Sequence, residues 1–337
     1  MREPRYWLTA APADAETLAR SLREFEERGA EGVWIPQTFD PPFATLGAAA
    51  AVTRRLKLGS GIALAFTRTP LETALGALTL DRLSGGRMVL GLGTSTRHVN
   101  EAFHGVGYGD PIARMREVVP LLRTIIERAH TGELAELQGA GYSMNLRGLF
   151  APPPVRPTIP IFLSPLFKKT IELAADVGDG IVGHPIWTPR WVKDVVAPQI
   201  QASLARRGRA RDRFEVNLWV YCLIHADRQK AIADARGVAA FYAGVGQYKK
   251  YFAEHGFEKE AIAIAEATAR GDLAGAFAAT PLEMGTTFAA AGSPDDVREH
   301  VAKIAAVADS VTLVAPHTVD PASAAGYQHS ILDTFLS

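Results

Sequence analysis

The chain has 337 residues, 47% of them hydrophobic and 21% charged, so it carries enough apolar material for a large buried core. Lys+Arg and Asp+Glu both number 36, a neutral balance that argues against a nucleic-acid binder, whose footprint is a basic excess. The single cysteine, Cys222, excludes an intrachain disulfide framework; set in the apolar run 218–224, it reads as a buried inert thiol. The opening MREPRYWLTAAPADAE lacks the basic-then-apolar order of a signal peptide, and no apolar run approaches membrane-spanning length. A cytoplasmic protein with no membrane and no nucleic-acid partner is expected.

Strands and helices alternate along the sequence. The first apolar run, 6–10, precedes a helix pattern with Leu18, Leu22 and Phe25 on one face. A short strand over 33–35 leads to an alanine-rich helix over 46–53, and a third strand over 56–65 leads to a helix carrying Leu71, Leu75 and Leu78. The fourth strand, 88–92, is followed by the cleanest amphipathic stripe on the chain: Ile112, Met115, Val118, Val119, Leu122, Ile125 and Ile126. Strands over 159–163 and 180–182 follow, with helices over 168–177 and 189–207 behind them. A seventh strand spans 216–224 and an eighth 310–315. The helices 294–307 and 321–335 each begin with proline, with Ser293 and Asp320 as N-caps.

Eight strand-then-helix units predict a single-domain (β/α)8 TIM barrel over 1–337, a fold of about 250 residues in its minimal form. A doubly wound open sheet is the alternative, because alternation alone does not show that a sheet closes. The surplus falls in two insertions: 132–158, proline- and glycine-rich and read as a loop, and 226–291, read as helical. The most informative stretch is 58–96, in which LGSGIALAFTRTP and DRLSGGRMVLGLGTST each run from an apolar strand into a small, polar loop. Parallel α/β folds bind ligands at such carboxyl strand ends, so this stretch reads as a cofactor site. GLGTST lacks the third glycine of a dinucleotide fingerprint.

The segments GVWIPQTFDPPFATLGAAAAVTRRLKLGSGIALAFTRTP, TLDRLSGGRMVLGLGTS and IPIFLSP…ELAADVGDGIVGHP together resemble the bacterial luciferase-like superfamily. Within it the chain is most similar to the coenzyme F420-dependent oxidoreductases. The sharpest pieces are LSGGR and the run Ala175-Asp176-Val177-Gly178-Asp179-Gly180. The resemblance implies a luciferase-like barrel, a homodimer, and a deazaflavin held at the strand ends. Hydride would then pass between its C5 and a small-molecule substrate, with the protein supplying position, polarity and a proton partner. Flavin-using relatives share the scaffold, so an FMN-dependent monooxygenase is the second reading and a non-catalytic cofactor-binding barrel the third.

On that resemblance, Gly61-Ile62 stands where relatives carry a non-proline cis peptide behind the ring; a glycine that merely lets two backbones approach is the plainer reading. Ala63 and Leu64 would line the same ring face, and Arg68 would meet the cofactor's anionic tail. Gly93, Thr94, Ser95 and Thr96 would bring backbone N–H groups and hydroxyls to the cofactor, with Asn100 an approximate match in the loop behind. Ser164, Pro165 and Leu166 after strand five and Gly183 after strand six would make further cofactor contacts. Gln37 occupies a position where relatives place Asp or Glu; glutamine cannot titrate, so it can orient but not transfer a proton. Its neighbours are Thr38 and Asp40, the latter a candidate helix cap. His184, with an ordinary pKa of about 6.5, is the first candidate for proton transfer, and His98 the second. His225, His255, His300 and His329 read as structural or exposed. Lys168, Lys169 and Arg190 are weaker candidates for the cofactor tail, and Arg87 reads as structural. An aromatic set in the second insertion, Phe241, Tyr242, Tyr248, Tyr251 and Phe252, is expected to cover the pocket. No cluster has metal-ligand spacing, so no metal is expected.

Overall fold

A computed structural model describes residues 4–10, 13–37 and 40–336. Eight strands form the barrel: β1 (Arg5–Thr9), β2 (Gly32–Ile35), β3 (Lys57–Ser60), β4 (Met88–Gly93), β5 (Ile161–Leu163), β6 (Gly180–Val182), β7 (Glu215–Ile224) and β8 (Ser310–Val314). Their hydrogen-bonded order is β7–β8–β1–β2–β3–β4–β5–β6, and β6 pairs in parallel with the start of β7 through Gly180↔Glu215 and Val182↔Asn217. The ring closes, and the open-sheet alternative is excluded. The fold is a (β/α)8 barrel.

Contacts divide the chain into two compact units: residues 7–183 with 195–217, and residues 1–6, 184–194 and 218–337. In the first unit the helices form where sequence chemistry asks for them. Asp14 caps Ala15–Glu27 by accepting from the amides of Glu16 and Thr17, and Leu18, Leu22 and Phe25 are its buried stripe. Thr69 caps Pro70–Ser84, which ends on Gly85 in the left-handed region at φ 67°. Asp110 caps Pro111–Arg128, whose Met115, Val118, Val119, Leu122, Ile125 and Ile126 are all buried. In the second unit Ser293 forms a capping box with Asp296, and Asp320 caps Pro321–Phe335, both as expected.

Four local expectations are corrected. The third strand is not continuous over 56–65: β3 stops at Ser60, and Ala63–Leu64 rejoins β4 after a gap of two residues. The proline-rich segment 132–158 is not all loop, since Glu136–Gln138 and Ser143–Asn145 pair as an antiparallel hairpin. The helix expected over 189–207 opens into a π-type turn at Val192–Val196 before Ala197–Arg206. Pro198 has no N–H to donate four residues back, and the wider turn absorbs that gap. Asp40 does not cap Pro42–Val52; Pro41 occupies the cap position without a side-chain hydrogen bond. Thr38 lies outside the described residues. The insertion 226–291 is helical as expected, from Arg228–Ala243 through Leu282–Phe288, and then adds the short strand Ala290–Gly292 beside β7.

The barrel wall of the first unit is filled by aromatic side chains. Trp7 on β1 stacks on Trp34 on β2 at 4.6 Å, and Trp34 meets Phe162 on β5 at 6.0 Å. The Trp34 ring has room because β3 carries Gly59, where a Cβ would sit 2.1 Å from that ring.

The family-like motifs turn out to hold the amino-terminal ends of the strands. Arg87, after LSGG, donates to the carbonyls of Ser84, Leu56, Ala50 and Thr53 and to Thr53 Oγ1, tying down two helix ends, as its structural reading implied. Asp176 takes Arg207 at 2.8 Å and Arg116 at 2.7 Å. Burial pushes its carboxyl up, but those hydrogen bonds and charges outweigh it and the net shift is downward. Asp179 accepts from Arg123 and from the amide of Ile161, both at 2.9 Å. A cavity of about 370 Å³ opens at this end, lined by Lys57, Arg87, Arg156 and Glu215. Since (β/α)8 enzymes work at the opposite, carboxyl face, it belongs to the scaffold.

Candidate active site

In the first unit, the β3–β4 junction gathers the predicted cofactor residues. Register runs Gly59↔Val89, then Ala63↔Leu92, so four steps on one strand face three on the other. That is a β-bulge of one residue. The Gly61–Ile62 peptide within it is cis, at the position the resemblance marked. Ser60, which the sequence reading passed over, replaces the missing ladder bonds: its Oγ accepts from the Gly91 amide at 3.0 Å and donates to the Gly91 carbonyl at 2.8 Å. The only sequence signal for it is a small polar residue at the end of an apolar strand. Ile62 lies over Gly93, where a Cβ would come within 2.3 Å of Ile62 Cδ1.

Gln37 closes this group. Its Oε1 accepts from the Leu64 amide at 3.0 Å and from Arg68 Nη1 at 3.1 Å. Arg68 also lies over the Phe43 ring at 5.2 Å. Burial pushes its guanidinium pKa down while the Glu72 charge opposes the shift. Because Gln37 is neutral, Arg68 gains an acceptor there without being neutralised.

The loop after β4 is organised by Asn100, which is fully buried. Its Nδ2 donates to the carbonyls of Thr94 at 2.9 Å and Thr96 at 2.8 Å, while its Oδ1 has no hydrogen-bond partner among the described residues. Ser95 adopts φ 55°, and Tyr108 donates to its carbonyl at 2.9 Å. Asn100 therefore shapes the Thr94–Ser95–Thr96 turn from behind. After β5, the amides of Leu166 and Phe167 donate to Thr170 Oγ1, and Ser164 donates its amide to the Leu92 carbonyl. Gly183 donates its amide to the Asn217 carbonyl at 2.7 Å and is buried. His98 is exposed, packed edge-on against Phe103 at 5.0 Å. Lys168 and Lys169 are exposed.

The second unit places His184, two residues past β6, among aromatic rings of the insertion. Its Nε2 meets Tyr248 Oη at 3.1 Å, and its Nδ1 lies 3.4 Å from the Ile186 amide. Tyr242 packs edge-on against both His184 at 5.1 Å and Tyr248 at 5.3 Å. With Nδ1 facing an N–H, the neutral ring carries its proton on Nε2 and donates it to Tyr248. Burial pushes the imidazole down to about 3, so His184 does not titrate near neutrality, and the expectation of a group exchanging protons at pH 7 is corrected. Tyr251 and Phe252 do not serve as a cover: both are fully buried, and Tyr251 Oη donates to the Ile186 carbonyl at 2.8 Å and accepts from the Thr188 amide at 3.1 Å. His255 is structural as expected, bonded to Thr188 Oγ1 and the Tyr251 carbonyl. Arg190 donates to the Glu254 carbonyl. Among the described residues no group of three His, Cys, Asp or Glu side chains is placed to hold a metal, and no helix is long and apolar enough to cross a membrane.

These histidines set an acid sensitivity. His184 at about 3 and His300 at about 4 are both depressed, chiefly by burial. A depressed histidine stabilises the fold fully above its unfolded pKa of about 6.5 and loses that contribution as pH falls toward the folded value. The unfolding free energy from urea titration is expected to be flat from pH 8 to 7 and to fall between pH 6.5 and 4.5, by up to about 1.4 kcal/mol per pH unit for each histidine. In His300→Gln the slope should be shallower; an unchanged slope in both His184→Gln and His300→Gln would refute the assignment.

Comparison with known proteins gives four findings. A sequence model of the family described as luciferase-like monooxygenase matches residues 2–310. The 5,10-methylenetetrahydromethanopterin reductase of Archaeoglobus fulgidus is 31% identical over 288 residues, 82% of this chain and 82% of its own. A putative coenzyme F420-dependent oxidoreductase of Mycobacterium tuberculosis is 31% identical over 252 residues, 71% and 70% of the two chains. In fold, the coenzyme F420-dependent tetrahydromethanopterin reductase from Methanopyrus kandleri matches with a TM-score of 0.82 over 98% of this chain and 97% of that one, at 24% identity.

Proposed function

The chain belongs to the luciferase-like monooxygenase family, and from that premise we propose that it is an F420-dependent oxidoreductase acting on a small organic carbonyl, alcohol, imine or activated alkene. The observation that carries this reading is the Gln37–Arg68–Leu64 knot beside the β3–β4 bulge. An arginine bonded to a neutral amide keeps its charge for an anionic group, and F420 is an anionic cofactor. The orphaned Asn100 Oδ1 fits the same group as an acceptor without a partner among the described residues. The relative named as a putative coenzyme F420-dependent oxidoreductase supports it.

When bound, the deazaflavin supplies two-electron hydride chemistry without the oxygen adducts of a flavin. Arg68, Gly61, Ile62, Ala63, Leu64, Gly93, Thr94, Ser95 and Thr96 are assigned to holding it, with Ser164, Pro165, Leu166 and Gly183 as further contacts. Gln37 orients Arg68 and carries no proton. His184, neutral throughout the physiological range, donates to Tyr248 and so turns the Tyr248 hydroxyl proton outward as a donor to substrate. His98, exposed and packed on Phe103, is given no part in the chemistry.

Fluorescence titration with F420 and separately with FMN tests the reading. Binding of F420 at micromolar concentration, with FMN much weaker, is expected. Gln37→Ala should weaken F420 by about 1–2 kcal/mol, roughly five- to thirtyfold, since it leaves Arg68 and the Leu64 amide without their acceptor. Tight FMN with weak F420, and oxygen uptake coupled to substrate hydroxylation, would move the protein to the monooxygenases; binding of neither would make it a non-catalytic barrel.

A further inference from the structure

Within the first unit, Ser95 is the one non-glycine residue with a positive φ among the described residues, at 55°. A serine there crowds its Cβ against the backbone, so the conformation persists only where neighbours enforce it. Every carbonyl of its turn is taken by a side chain. Asn100 Nδ2 holds those of Thr94 and Thr96, and Tyr108 Oη donates to that of Ser95 at 2.9 Å. Thr94 Oγ1 lies 3.3 Å from the same Ser95 oxygen and 3.4 Å from Tyr108 Oη. In a planar trans peptide the C=O and the N–H that follows it point opposite ways. With the carbonyls of Thr94 and Ser95 turned onto Asn100 and Tyr108, the amides of Ser95 and Thr96 face away from both. Neither amide has a hydrogen-bond partner among the described residues.

Tyr108 is itself fixed from several sides, although the loop that carries it is mostly exposed. Its ring stands edge-on to Phe66 at 6.1 Å, and the Arg97 guanidinium lies over it at 5.3 Å. Its amide donates to Glu101 Oε1, the oxygen that also pairs with Arg97. Arg114, on the helix Pro111–Arg128, donates to the Gly107 carbonyl and lies over the Phe66 ring at 4.1 Å. We propose that Tyr108 is a positioning residue: it holds Ser95 in the left-handed region and so keeps the Thr94–Ser95–Thr96 turn in the shape that meets the cofactor. The inference rests on the reading that this turn holds F420. Without the Tyr108 hydroxyl, Ser95 relaxes to negative φ, the peptides on either side of it rotate, and binding must first rebuild the turn. Ser95→Gly removes the crowded Cβ, so the turn is then rebuilt at little cost.

A cycle of wild type, Tyr108→Phe, Ser95→Gly and the double variant tests this, read by F420 fluorescence titration and by urea unfolding of the full chain. Phenylalanine keeps the ring beside Phe66 and beneath Arg97 and removes only the hydroxyl. Tyr108→Phe should weaken F420 about tenfold in wild type, the penalty of a left-handed serine. In the Ser95→Gly background the same change should cost less than about threefold, with Ser95→Gly alone as the reference for the lost serine hydroxyl. In urea, Ser95→Gly should raise the wild-type midpoint by releasing strain, and raise it less once the Tyr108 hydroxyl is gone. A Tyr108 that only adds stability would act equally in both backgrounds, and that additive result overturns the proposal. Should Tyr108→Phe not fold, Ser95→Gly still decides, since an unchanged or lowered midpoint would leave no strain to hold. Failure of wild type to bind F420 would instead remove the cofactor reading, while the urea cycle still tests the turn.

Discussion

Gly91→Ala is expected to destabilise the fold by about 3 kcal/mol, the upper end of what over-packing costs a well-filled interior. A Cβ at this position would lie 2.0 Å from the Ser60 carbonyl oxygen and 3.2 Å from the Trp34 ring. The near neighbour is backbone, which cannot rotate away. The same residue exchanges both of its main-chain bonds with Ser60 Oγ, so displacing it also dismantles the bulge between β3 and β4. F420 affinity should therefore fall with stability, and the urea midpoint and the fluorescence titration should move together. Ser60→Ala is the milder companion: it removes the hydroxyl but adds no bulk, leaving a buried N–H and C=O unpaired at about 1–3 kcal/mol. A Gly91→Ala protein with the wild-type midpoint would show that the two strands are not packed as described.

Arg156→Met should cost about 3–5 kcal/mol, although it lies far from any strand end assigned to chemistry. Arg156 holds Asp81 through Nε at 3.0 Å and Nη2 at 2.7 Å, and the Asp81 side chain is only 2% exposed. Asp81 Oδ1 also accepts from the Met88 amide at 3.2 Å. Removing the arginine leaves a carboxylate out of water with no counter-charge. Asp81→Asn combined with Arg156→Met keeps an acceptor for Met88 without the stranded charge, so the double variant should be more stable than Arg156→Met alone. Urea unfolding of the four proteins of this cycle measures the difference. Additive losses would mean that the ion pair contributes nothing as a pair.

These two sites separate what a family-like motif says from what it does. LSGGR and the run from Ala175 to Gly180 carried the resemblance most sharply. In the structure Asp81, Arg87, Asp176 and Asp179 spend their polar groups on helix ends and strand starts. They identify the barrel by holding it together. The chemistry assigned to the strand ends is written in weaker signals, such as a serine, a glutamine and a run of small residues.

Periodicity and end chemistry were enough to determine the alternation of strands and helices, the stripe of Pro111–Arg128, the caps at Ser293 and Asp320 and the helical insertion, because each depends on residues a few positions apart. The sequence also marked the Gly61-Ile62 segment and Gln37, through likeness to known relatives. Only the tertiary structure could decide that the sheet closes through Gly180 and Glu215, that Ser60 bonds Gly91, or that Tyr221 joins His317 to Tyr242. Those partners lie tens of residues apart, up to 96 for Tyr221 and His317. The ionisation of His184 was likewise out of reach, for an imidazole's pKa follows the solvent it loses, and that loss is fixed by the rings of Tyr242 and Tyr248 packed around it.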